Sequence, residues 1–561
     1  MGKTAATLWL ALALTLAAGG CSHSSFPQQA RGKPALTERR FVILQVNDTY
    51  KIEGLEKGSL GGFARLRTLR RQLEASGDPV LLLHAGDFLY PSVMSKYLRA
   101  EPMVSIMNLL DGTPAGFDPN LVVTFGNHEF DNPDPGVLLG RIAQSDFSWV
   151  SSNVSYRSAP HAPSEELSHR LHQVHDVLVR DVGGVRVGLF GLTLDTDDQD
   201  YVAYQYDPQQ RRRLTQDAIA RLKQQGAEVI VALTHQDLAQ DEWLAREFPE
   251  ITLIAGGHEH FFIQERIGRT WITKADADNQ SAVVHEVALA PNGSATVTPR
   301  KVALDSSVPK DPEVQTEVER YKAQLNQALK QETGRDGAET IGQTRHLLEG
   351  VETAIRSRET ALGNFLADAV RERLKTDVAF INGGGIRLND NIPPGPITYY
   401  DLEGIFYFDD CLVTTSVTGA QLLEILRNSV SMAHLGRGRF LQVGGIRFRY
   451  QKSGDDRKPD YRIDAEDVSV RRFGSHAYAP LEPRATYTAG TTDFIWNFGY
   501  KDGYTLFQRG KGGTSPKRLD NGPLPDFRRV VEEAIARLPG RTVASDIDGR
   551  IQQVSPDRIG Q

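Results

Sequence analysis

Five short apolar runs in this chain end abruptly in residues that commonly bind metals, and this pattern constrains the fold most strongly. The runs are FVILQV, VLLLHAG, LVVTFG, VIVALT and ITLIAGG. Runs of this length that are rich in Val, Ile and Leu predict buried parallel strands. Ligands of open α/β sheets bind just outside the carboxyl ends of such strands. We therefore expect the residues that follow the runs to gather at one edge of a sheet.

The residues that follow the runs carry oxygen and nitrogen donors and no thiolate. They are Asp48, Asp87, Asn127, His235, His258 and His260. Taken singly, each would indicate a helix cap, a loop residue or a hydrogen-bonded histidine. As a set, in this order and at strand ends, they favour two metal ions that share a carboxylate over a structural zinc site.

Length and charge narrow the architecture and the partners. At 561 residues the chain is too long for one hydrophobic core, so two large domains are expected. A composition of 40% hydrophobic and 24% charged residues is typical of globular proteins. The formal net charge of −7 argues against a nucleic-acid polymer as partner, but it is compatible with a single nucleotide.

Residues 1–21 predict a signal peptide that does not belong to the fold. Lys3 precedes an apolar stretch from Leu8 to Ala18 that is too short to span a membrane. The small residues before Cys21 resemble a bacterial lipobox, although Ala18 stands where leucine is usual. Lipidation of Cys21 would anchor an exported protein to the periplasmic face of a membrane, whereas ordinary cleavage would release it. The polar residues 22–38 predict a tether.

The remaining chain divides into two patterned regions. Residues 39–308 alternate strands with helices such as GGFARLRTLRRQLEASG and RRRLTQDAIARLKQQG, which predicts a mostly parallel sheet covered on both faces. The segment around Pro291-Asn292-Gly293 predicts a hairpin that closes this domain. Residues 309–338 predict a linker helix and residues 546–561 a tail. Residues 339–545 mix helices with the strand DVAFING and a pair of strands in RFLQVGGIRFRYQ, which predicts a second, α+β domain.

Two motifs, GNHEFD at residues 126–131 and GGHEH at residues 256–260, resemble those of the calcineurin-like metallophosphoesterases. Together with the second domain, the chain resembles the 5′-nucleotidase family from about residue 38 onward. The resemblance implies an α/β fold with an N-terminal metallophosphoesterase sheet sandwich, a linker helix and a C-terminal α+β specificity domain. It also implies a hydrolase that converts nucleoside 5′-monophosphates to nucleoside and phosphate, with UDP-sugars or 2′,3′-cyclic nucleotides as further candidate substrates. The predicted signal peptide implies that this hydrolase is exported.

The resemblance implies a role for each donor of the first domain. The expected cofactors are two ions of Zn, Mn, Co or Fe, bridged by Asp87. The other ligands would be Asp48 and His260 at the first metal, and Asn127, His235 and His258 at the second. His128 would protonate or stabilise the leaving oxygen, and Asp131 would orient His128.

The second domain contains the motif NGGGIR at residues 382–387, whose exposed backbone N–H groups and arginine suit an anion. The resemblance assigns phosphate oxygens to Arg356 and Arg387, the nucleoside to Asn382, the stacked base to Phe408 and Phe494, and the ribose hydroxyls to Asp502. The spacing from Phe494 to Asp502 is longer than the family pattern.

One position departs from the family pattern. The first motif is usually Asp-x-His, but here it is Asp48-Thr49-Tyr50. Three interpretations are open: the first metal holds a water molecule instead, Tyr50 takes the histidine's place, or Tyr90 binds ferric iron as the tyrosine of purple acid phosphatases does.

The sequence leaves two other functions open. A thiosulfohydrolase of sulfur oxidation shares the two-domain scaffold, but it needs no pair of aromatic rings for a base. The non-enzymatic alternative is a nucleotide-binding lipoprotein that has lost catalytic activity because Tyr50 replaces the usual histidine.

Overall fold

Residues 39–308 form two β-sheets that face each other. The computed structural model describes residues 38–112, 116–196, 199–455, 458–508 and 515–554, and all of them belong to one packed unit that begins at Glu38. The predicted signal peptide, Cys21 and nearly all of the predicted tether lie outside the described residues. Within the described ranges, no helix combines the length and the apolar character needed to cross a membrane.

The first sheet has seven strands and carries the first three apolar runs. Its strands, in order across the sheet, are Ala295–Ala303, Ser281–Leu289, Arg39–Val46, Val80–His84, Asp118–Val123, Phe147–Val150 and Val174–His175. The last five strands are parallel. The first two form an antiparallel hairpin, which confirms the predicted one.

The second sheet has six strands and carries the other two apolar runs. Its strands, in order, are Ile263–Ile267, Thr270–Lys274, Leu253–Gly256, Val229–His235, Val185–Thr193 and Val177–Val182. The four inner strands are parallel and the two outer strands are antiparallel to their neighbours. A small sheet beside these two contains Val202–Tyr204, Val154–Arg157 and Ser164–Glu166.

The strand Arg39–Val46 shows why its apolar run is continuous. Phe41 and Ile43 enter the core between the two sheets, while Val42 and Leu44 enter a second core on the opposite face of the strand. Successive side chains of a strand point to opposite faces. Both faces are therefore buried, one by a sheet and the other by helices.

The residue pattern predicted a mostly parallel sheet covered on both faces, and the structure has two such sheets. Each large sheet packs helices against one face and the partner sheet against the other. A buried apolar run has the same pattern whether a helix or a sheet covers it. The sandwich itself, implied by the family resemblance, is confirmed.

Helices surround the two sheets and link them to the second domain. Those of residues 39–338 are Phe63–Ala75, Val93–Leu98, Glu101–Met107, Pro135–Gln144, Pro208–Gln224, Leu238–Glu247 and Pro312–Thr333. The last lies within the predicted linker and begins at an Asp311 cap. It buries an apolar stripe of Val314, Val318, Tyr321, Leu325 and Leu329. This stripe belongs to the same core as the outer face of the first sheet.

The second domain is α+β. Its main sheet contains, in order, Leu441–Gly444, Val378–Asn382, Thr486–Thr492, Leu412–Thr418 and Lys517–Arg518. Another sheet contains Lys458–Arg462, Ile446–Asp455, Val468–Val470, Ala479–Pro480 and Ile551–Val554. Shorter pairings join Gly395–Thr398, Thr340–Thr344 and Thr542–Val543, and join Leu348–Glu349 to Asn391–Ile392. Its helices are Glu352–Ile355, Ala361–Leu374, Tyr399–Ile405, Gly419–Val430, Asp493–Phe498 and Phe527–Arg537.

The second domain differs from the sequence prediction in two details. The segment RFLQVGGIRFRYQ does not form a pair of adjacent strands, and the predicted tail contains a strand. Leu441–Gly444 and Ile446–Asp455 are strands, but they do not pair with each other because they belong to different sheets. Gly445 lies between them at φ 71°, a conformation that glycine adopts readily and that redirects the chain. Within the segment predicted as a tail, Ile551–Val554 pairs in parallel with Ile446–Asp455.

Candidate active site

The carboxyl ends of parallel strands from both sheets bring the predicted metal donors together. Asp48 lies two residues beyond Arg39–Val46 in the first sheet, and His235 is the last residue of Val229–His235 in the second. His235 Nε2 lies 3.9 Å from Asp48 Oδ1. The donors therefore meet where the ends of the two sheets converge.

Asp48, Asp87 and His260 form the tightest group of donors. Each offers one ligand atom, and these atoms all lie within 4.8 Å of one another. Nε2 of His260 is 3.1 Å from Oδ1 of Asp48. All three residues have positive φ angles, of 51°, 59° and 62° for Asp48, Asp87 and His260. Non-glycine residues rarely adopt this conformation, and such strain concentrates at functional sites.

The charges in this group suit a site that holds cations. Burial alone would raise the pKa of Asp48, but the positive charges of His260 and His235 outweigh it and lower that pKa to about 2. Burial alone would lower the pKa of His260, but Glu352 and Asp48 raise it to about 10. Protons on His260 and His235, whose pKa values are both raised, thus balance the carboxylates in the metal-free chain. Metal ions would replace these protons on binding.

Two atoms of the predicted second metal site lack hydrogen-bond partners. Nδ1 of His235 donates to the carbonyl oxygen of Ala85 at 2.7 Å, so Nε2 is the ring nitrogen that could bind a metal once it loses its proton. This Nε2 is buried without a hydrogen bond and lies 3.2 Å from Oδ2 of Asp87. Oδ1 of Asn127 is also buried without a hydrogen-bond partner. Buried polar atoms are rarely left unpaired, so these two atoms fit a bound cation.

His258 completes this side of the group, with its ring centre 5.3 Å from that of His235. Its Nε2 lies 2.8 Å from Nη1 of Arg437 and 3.4 Å from Oδ1 of Asp237. Arg437 also pairs with Asp237. Since Arg437 belongs to the second domain, that domain reaches the surroundings of a predicted metal ligand.

Supporting side chains hold the loops that carry the predicted ligands. Glu129 is fully buried and accepts hydrogen bonds from the backbone N–H groups of Asp87, Phe88 and Leu89 at 2.9, 2.7 and 3.1 Å. Asn47 donates to Oδ2 of Asp48 at 2.7 Å. Outer contacts of this kind orient metal ligands.

A buried lysine performs a similar role between the two histidine loops. Lys274 is fully buried and lies 3.0 Å from Oδ2 of Asp241. Its ammonium group also donates to the carbonyl oxygen of Gln236 at 2.6 Å and to the carboxylate of Glu259. Gln236 follows His235, and Glu259 lies between His258 and His260. Lys274 therefore links the two loops that carry these histidines.

His128 and Asp131 form a dyad at the rim of the donor group. Nδ1 of His128 lies 2.9 Å from Oδ2 of Asp131. Burial alone would lower the pKa of His128, but Asp131 and Asp87 raise it. Its Nε2 lies 3.0 Å from Nη2 of Arg387 in the second domain. The Nε2 edge of the imidazole therefore faces Arg387 of the second domain.

The Tyr50 hydroxyl lies inside the donor group. It is 3.0 Å from Nε2 of His260, 3.2 Å from Oδ2 of Asp87 and 3.3 Å from Oδ1 of Asp48. Burial and the charges of Asp87 and Asp48 raise the pKa of Tyr50 well above its usual value. The phenol is therefore protonated in the metal-free chain and can donate to a ligand carboxylate.

Tyr90 has a different environment. Its hydroxyl accepts a hydrogen bond from Nδ2 of Asn132 at 3.1 Å, and its ring belongs to the core on the helix-covered face of the first sheet. This position favours a packing role for Tyr90 over ligation of an iron ion.

Two arginines of the second domain share one acid, and one of them, Arg387, contacts the dyad. Arg356 and Arg387 both donate to Oε1 of Glu352, at 2.7 and 3.2 Å. The Nε atoms of both arginines are buried without hydrogen-bond partners. Each arginine therefore retains an unused donor that could bind an anion.

The predicted nucleoside residues lie at one end of the main sheet of the second domain. In that sheet Leu412 pairs with Thr492, which brings the segments carrying Phe408 and Phe494 to the same end. The Phe408 ring is 40% exposed, and the Arg387 guanidinium lies 5.6 Å from its centre. An exposed ring beside an arginine that is predicted to bind phosphate is available for stacking.

The other two predicted nucleoside contacts are polar and enclosed. Oδ1 of Asn382 is buried without a hydrogen-bond partner. Burial raises the pKa of Asp502, and Arg439, Arg356 and Arg437 oppose that rise. Asp502 therefore lies close enough to Arg356 for the positive charge of the arginine to lower its pKa, despite the long spacing of Asp502 from Phe494.

Comparisons with known proteins agree with this arrangement. The calcineurin-like phosphoesterase family matches residues 41–262, and the 5′-nucleotidase C-terminal domain matches residues 340–509. A snake venom 5′-nucleotidase of Gloydius brevicauda is 25% identical, over 96% of this chain and 91% of its own length. A 5′-nucleotidase precursor of Thermus thermophilus is 26% identical with a TM-score of 0.72, covering 92% of this chain and 99% of that chain.

The chain belongs to the 5′-nucleotidase family. It is therefore a metal-dependent phosphoric monoester hydrolase with a phosphoesterase domain followed by a 5′-nucleotidase C-terminal domain. A sulfate thiohydrolase of Thermus thermophilus also shares the fold, with a TM-score of 0.65 over 93% of this chain and 97% of that chain. At 17% identity this likeness concerns the fold alone and does not favour thiosulfohydrolase chemistry.

Sequence reasoning missed three charged residues around this 5′-nucleotidase site. Glu352 stands four positions before Arg356, the spacing of an ion pair on a helix, and this spacing was a usable signal. Arg437 and Lys274 had no such signal because their partners are distant in the chain.

Proposed function

We propose that this member of the 5′-nucleotidase family is a dinuclear metal enzyme that releases phosphate from nucleoside 5′-monophosphates. One observation carries the proposal: Arg387 of the second domain lies 3.0 Å from His128 of the first. The predicted phosphate-binding arginines and the predicted acid thus converge beside the metal donors. A phosphate held there would have its ester oxygen next to His128 and its nucleoside directed at the second domain.

The metal sites are proposed from donors that the chain brings together. Asp87 would bridge the ions. Asp48 and His260 would complete the first site, and Asn127, His235 and His258 the second. Bound ions would neutralise charge on the phosphoryl oxygens and acidify a water molecule. The oxygen and imidazole donors fit Zn, Mn, Co or Fe.

The remaining groups bind the phosphate and manage the proton. The free Nε donors of Arg356 and Arg387 would bind phosphate oxygens as charge-assisted hydrogen bonds. His128 would donate a proton to the leaving 5′-oxygen, while Asp131 stabilises the protonated imidazole through Nδ1.

Specificity for a nucleoside is assigned to the aromatic and polar residues of the second domain. Phe408 and Phe494 would stack on the base, which tolerates several bases because every base has an aromatic face. Asn382 and Asp502 would hydrogen-bond the nucleoside, with Asp502 on the ribose hydroxyls. UDP-sugars and 2′,3′-cyclic nucleotides are included in the proposal because they present a phosphate and a base to the same groups.

Phe408→Ala and Phe494→Ala are each expected to weaken nucleotide binding. Loss of stacking should cost about 1–3 kcal/mol and raise KM about 5- to 150-fold. A small aryl phosphate such as p-nitrophenyl phosphate should be hydrolysed as before, because it has no base to stack. Steady-state kinetics on both substrates checks this. Equal losses on the two substrates would show that the rings are packing residues.

Tyr50→His is expected to strengthen the first metal site. An imidazole is a better ligand than a protonated phenol, so half-maximal activity should need less zinc or manganese. Tyr90→Phe is the matched control and should leave the metal dependence unchanged. If Tyr50→His instead weakens metal binding, Tyr50 is itself a ligand. Loss of a tyrosinate charge-transfer colour in Tyr90→Phe would establish the iron interpretation that the structure disfavours.

A screen for phosphate release tests the proposed substrate class. The purified chain is supplied in turn with Mn, Zn, Co and Fe, and is offered nucleoside 5′-monophosphates, a UDP-sugar, a 2′,3′-cyclic nucleotide and p-nitrophenyl phosphate. Phosphate release with the highest kcat/KM on nucleoside 5′-monophosphates supports the proposal. Hydrolysis of the aryl phosphate alone would remove the nucleotide specificity but keep the phosphatase chemistry.

We also propose that the protein is exported and anchored through lipidated Cys21. The support is the sequence alone, an apolar stretch from Leu8 to Ala18 followed by small residues and Cys21. Metabolic labelling with a fatty acid in a bacterial host should label the chain, and Cys21→Ala should remove the label. Label retained in Cys21→Ala would contradict the anchor.

A further inference from the structure

Glu352 lies between the two domains and contacts side chains of both. It is 5% exposed and begins the short helix Glu352–Ile355 of the second domain. Its Oε2 lies 2.5 Å from Nδ1 of His260 in the first domain. Its Oε1 accepts hydrogen bonds from Arg356 and Arg387. A single buried carboxylate therefore meets one predicted metal ligand and both predicted phosphate ligands.

The contact with His260 determines how that imidazole is presented. Nδ1 of His260 and Oε2 of Glu352 are both buried, and neither has a hydrogen bond to any other group. A histidine whose one ring nitrogen faces a carboxylate presents the other nitrogen to the metal, and the carboxylate increases its basicity. Nε2 of His260 faces Oδ1 of Asp48 at 3.1 Å, as this arrangement requires.

The contacts with the arginines determine which donors remain for substrate. Oε1 of Glu352 takes one terminal nitrogen from each guanidinium, at 2.7 Å from Arg356 and 3.2 Å from Arg387. The Nε groups of both arginines are buried and unpaired. Glu352 therefore holds the two guanidinium groups side by side and leaves their Nε donors unused. Two arginines this close repel each other unless an anion lies between them.

We propose that Glu352 is a positioning residue through which the second domain sets both the metal affinity of the first site and the phosphate affinity of the enzyme. The proposal rests on the assignment of His260 to a metal site under the proposed function. It adds a residue that touches neither the ion nor the phosphate and acts through His260, Arg356 and Arg387.

The test is metal binding by Glu352→Gln, in the full chain and without substrate. Metal-stripped protein is titrated with Mn²⁺ or Zn²⁺ by calorimetry. We expect about 10- to 100-fold weaker binding at one of two sites, the usual cost of losing an outer carboxylate. Glu349→Gln is the matched control. Glu349 lies three positions earlier and pairs with the exposed Arg358 at 2.6 Å, and the metal affinity of this variant should equal that of the wild type.

Kinetics at saturating metal separate the second part of the proposal. Glu352→Gln should raise KM for a nucleotide and for p-nitrophenyl phosphate alike, because the arginines act on the phosphate that both substrates share. The change in kcat should be smaller than the change in KM. A merely structural role would lower Tm and leave both the metal affinity and KM of the folded protein unchanged, and that result would overturn the proposal.

Glu352→Asp keeps the charge on a shorter side chain and guards against a folding failure. It should recover part of the metal affinity lost in Glu352→Gln. If Glu352→Gln does not fold, weaker metal binding by Glu352→Asp at normal Tm supports the proposal, and unchanged binding overturns it. A wild-type protein that binds metal but releases no phosphate from nucleotides would refute the nucleotidase assignment, while the effect of Glu352 on metal binding would still be measurable.

Discussion

Replacing Asp87 with asparagine is expected to lower phosphate release from nucleotides by about 10³-fold or more. Its carboxylate lies 3.2 Å from His235 and within 4.8 Å of the donor atoms of Asp48 and His260, so it is placed to serve both ions. An amide carries no charge and cannot balance two cations. Metal content by plasma mass spectrometry should fall together with activity.

Asp118→Asn provides the control for loss of a buried carboxylate. Asp118 belongs to the same sheet but pairs with Arg70 at 2.5 Å, outside the donor group. This variant should have a lower Tm and an unchanged metal content per folded chain. Near-normal turnover by Asp87→Asn with full metal occupancy would exclude the bridging role.

Replacing His128 with alanine is expected to lower kcat for nucleotides by about 10²- to 10⁴-fold, the usual contribution of a general acid. The effect should act on the leaving oxygen and not on the ions, because the imidazole contacts Asp131 and Arg387. Metal content should therefore remain near that of the wild type. Hydrolysis of p-nitrophenyl phosphate should be reduced less, since nitrophenolate leaves without protonation.

The comparison of the two substrates decides the role of His128. A larger loss on the nucleotide supports proton donation to the 5′-oxygen. Equal losses would assign His128 to phosphate binding, and a parallel loss of metal would assign it to the metal site. Asp131→Asn should show a weaker form of the same pattern, because Asp131 acts through the imidazole.

The extent to which this site was predictable depends on how far apart in the chain its parts lie. Asp48 and His235 each follow a recognisable apolar run, so the local pattern predicted them at strand ends. The roles of His128 and Asp131 were implied by the family resemblance of the GNHEFD motif. The backbone strain of the donors, such as φ 51° at Asp48, has no signature in the residue types.

Contacts across the two domains were beyond local patterns. Glu352 meets His260 only because the domains pack against each other, and no periodicity relates the two positions. A buried run such as FVILQV likewise does not reveal what covers each face. The expectation of two facing sheets therefore came from the family resemblance and not from the local pattern. The position of the Tyr50 hydroxyl among the donors was likewise not predictable, because the residue type alone does not give the direction of the side chain.

A metal titration of the stripped full chain, with phosphate release from a nucleoside 5′-monophosphate followed at each step, tests whether the enzyme works with two ions. We expect no activity without metal and a rise that ends at two ions per chain. We also expect that no metal concentration used restores the activity of Asp87→Asn. Full activity at one ion per chain, activity that persists after metal removal, or two bound ions with no phosphate released from any nucleotide would contradict a dinuclear 5′-nucleotidase.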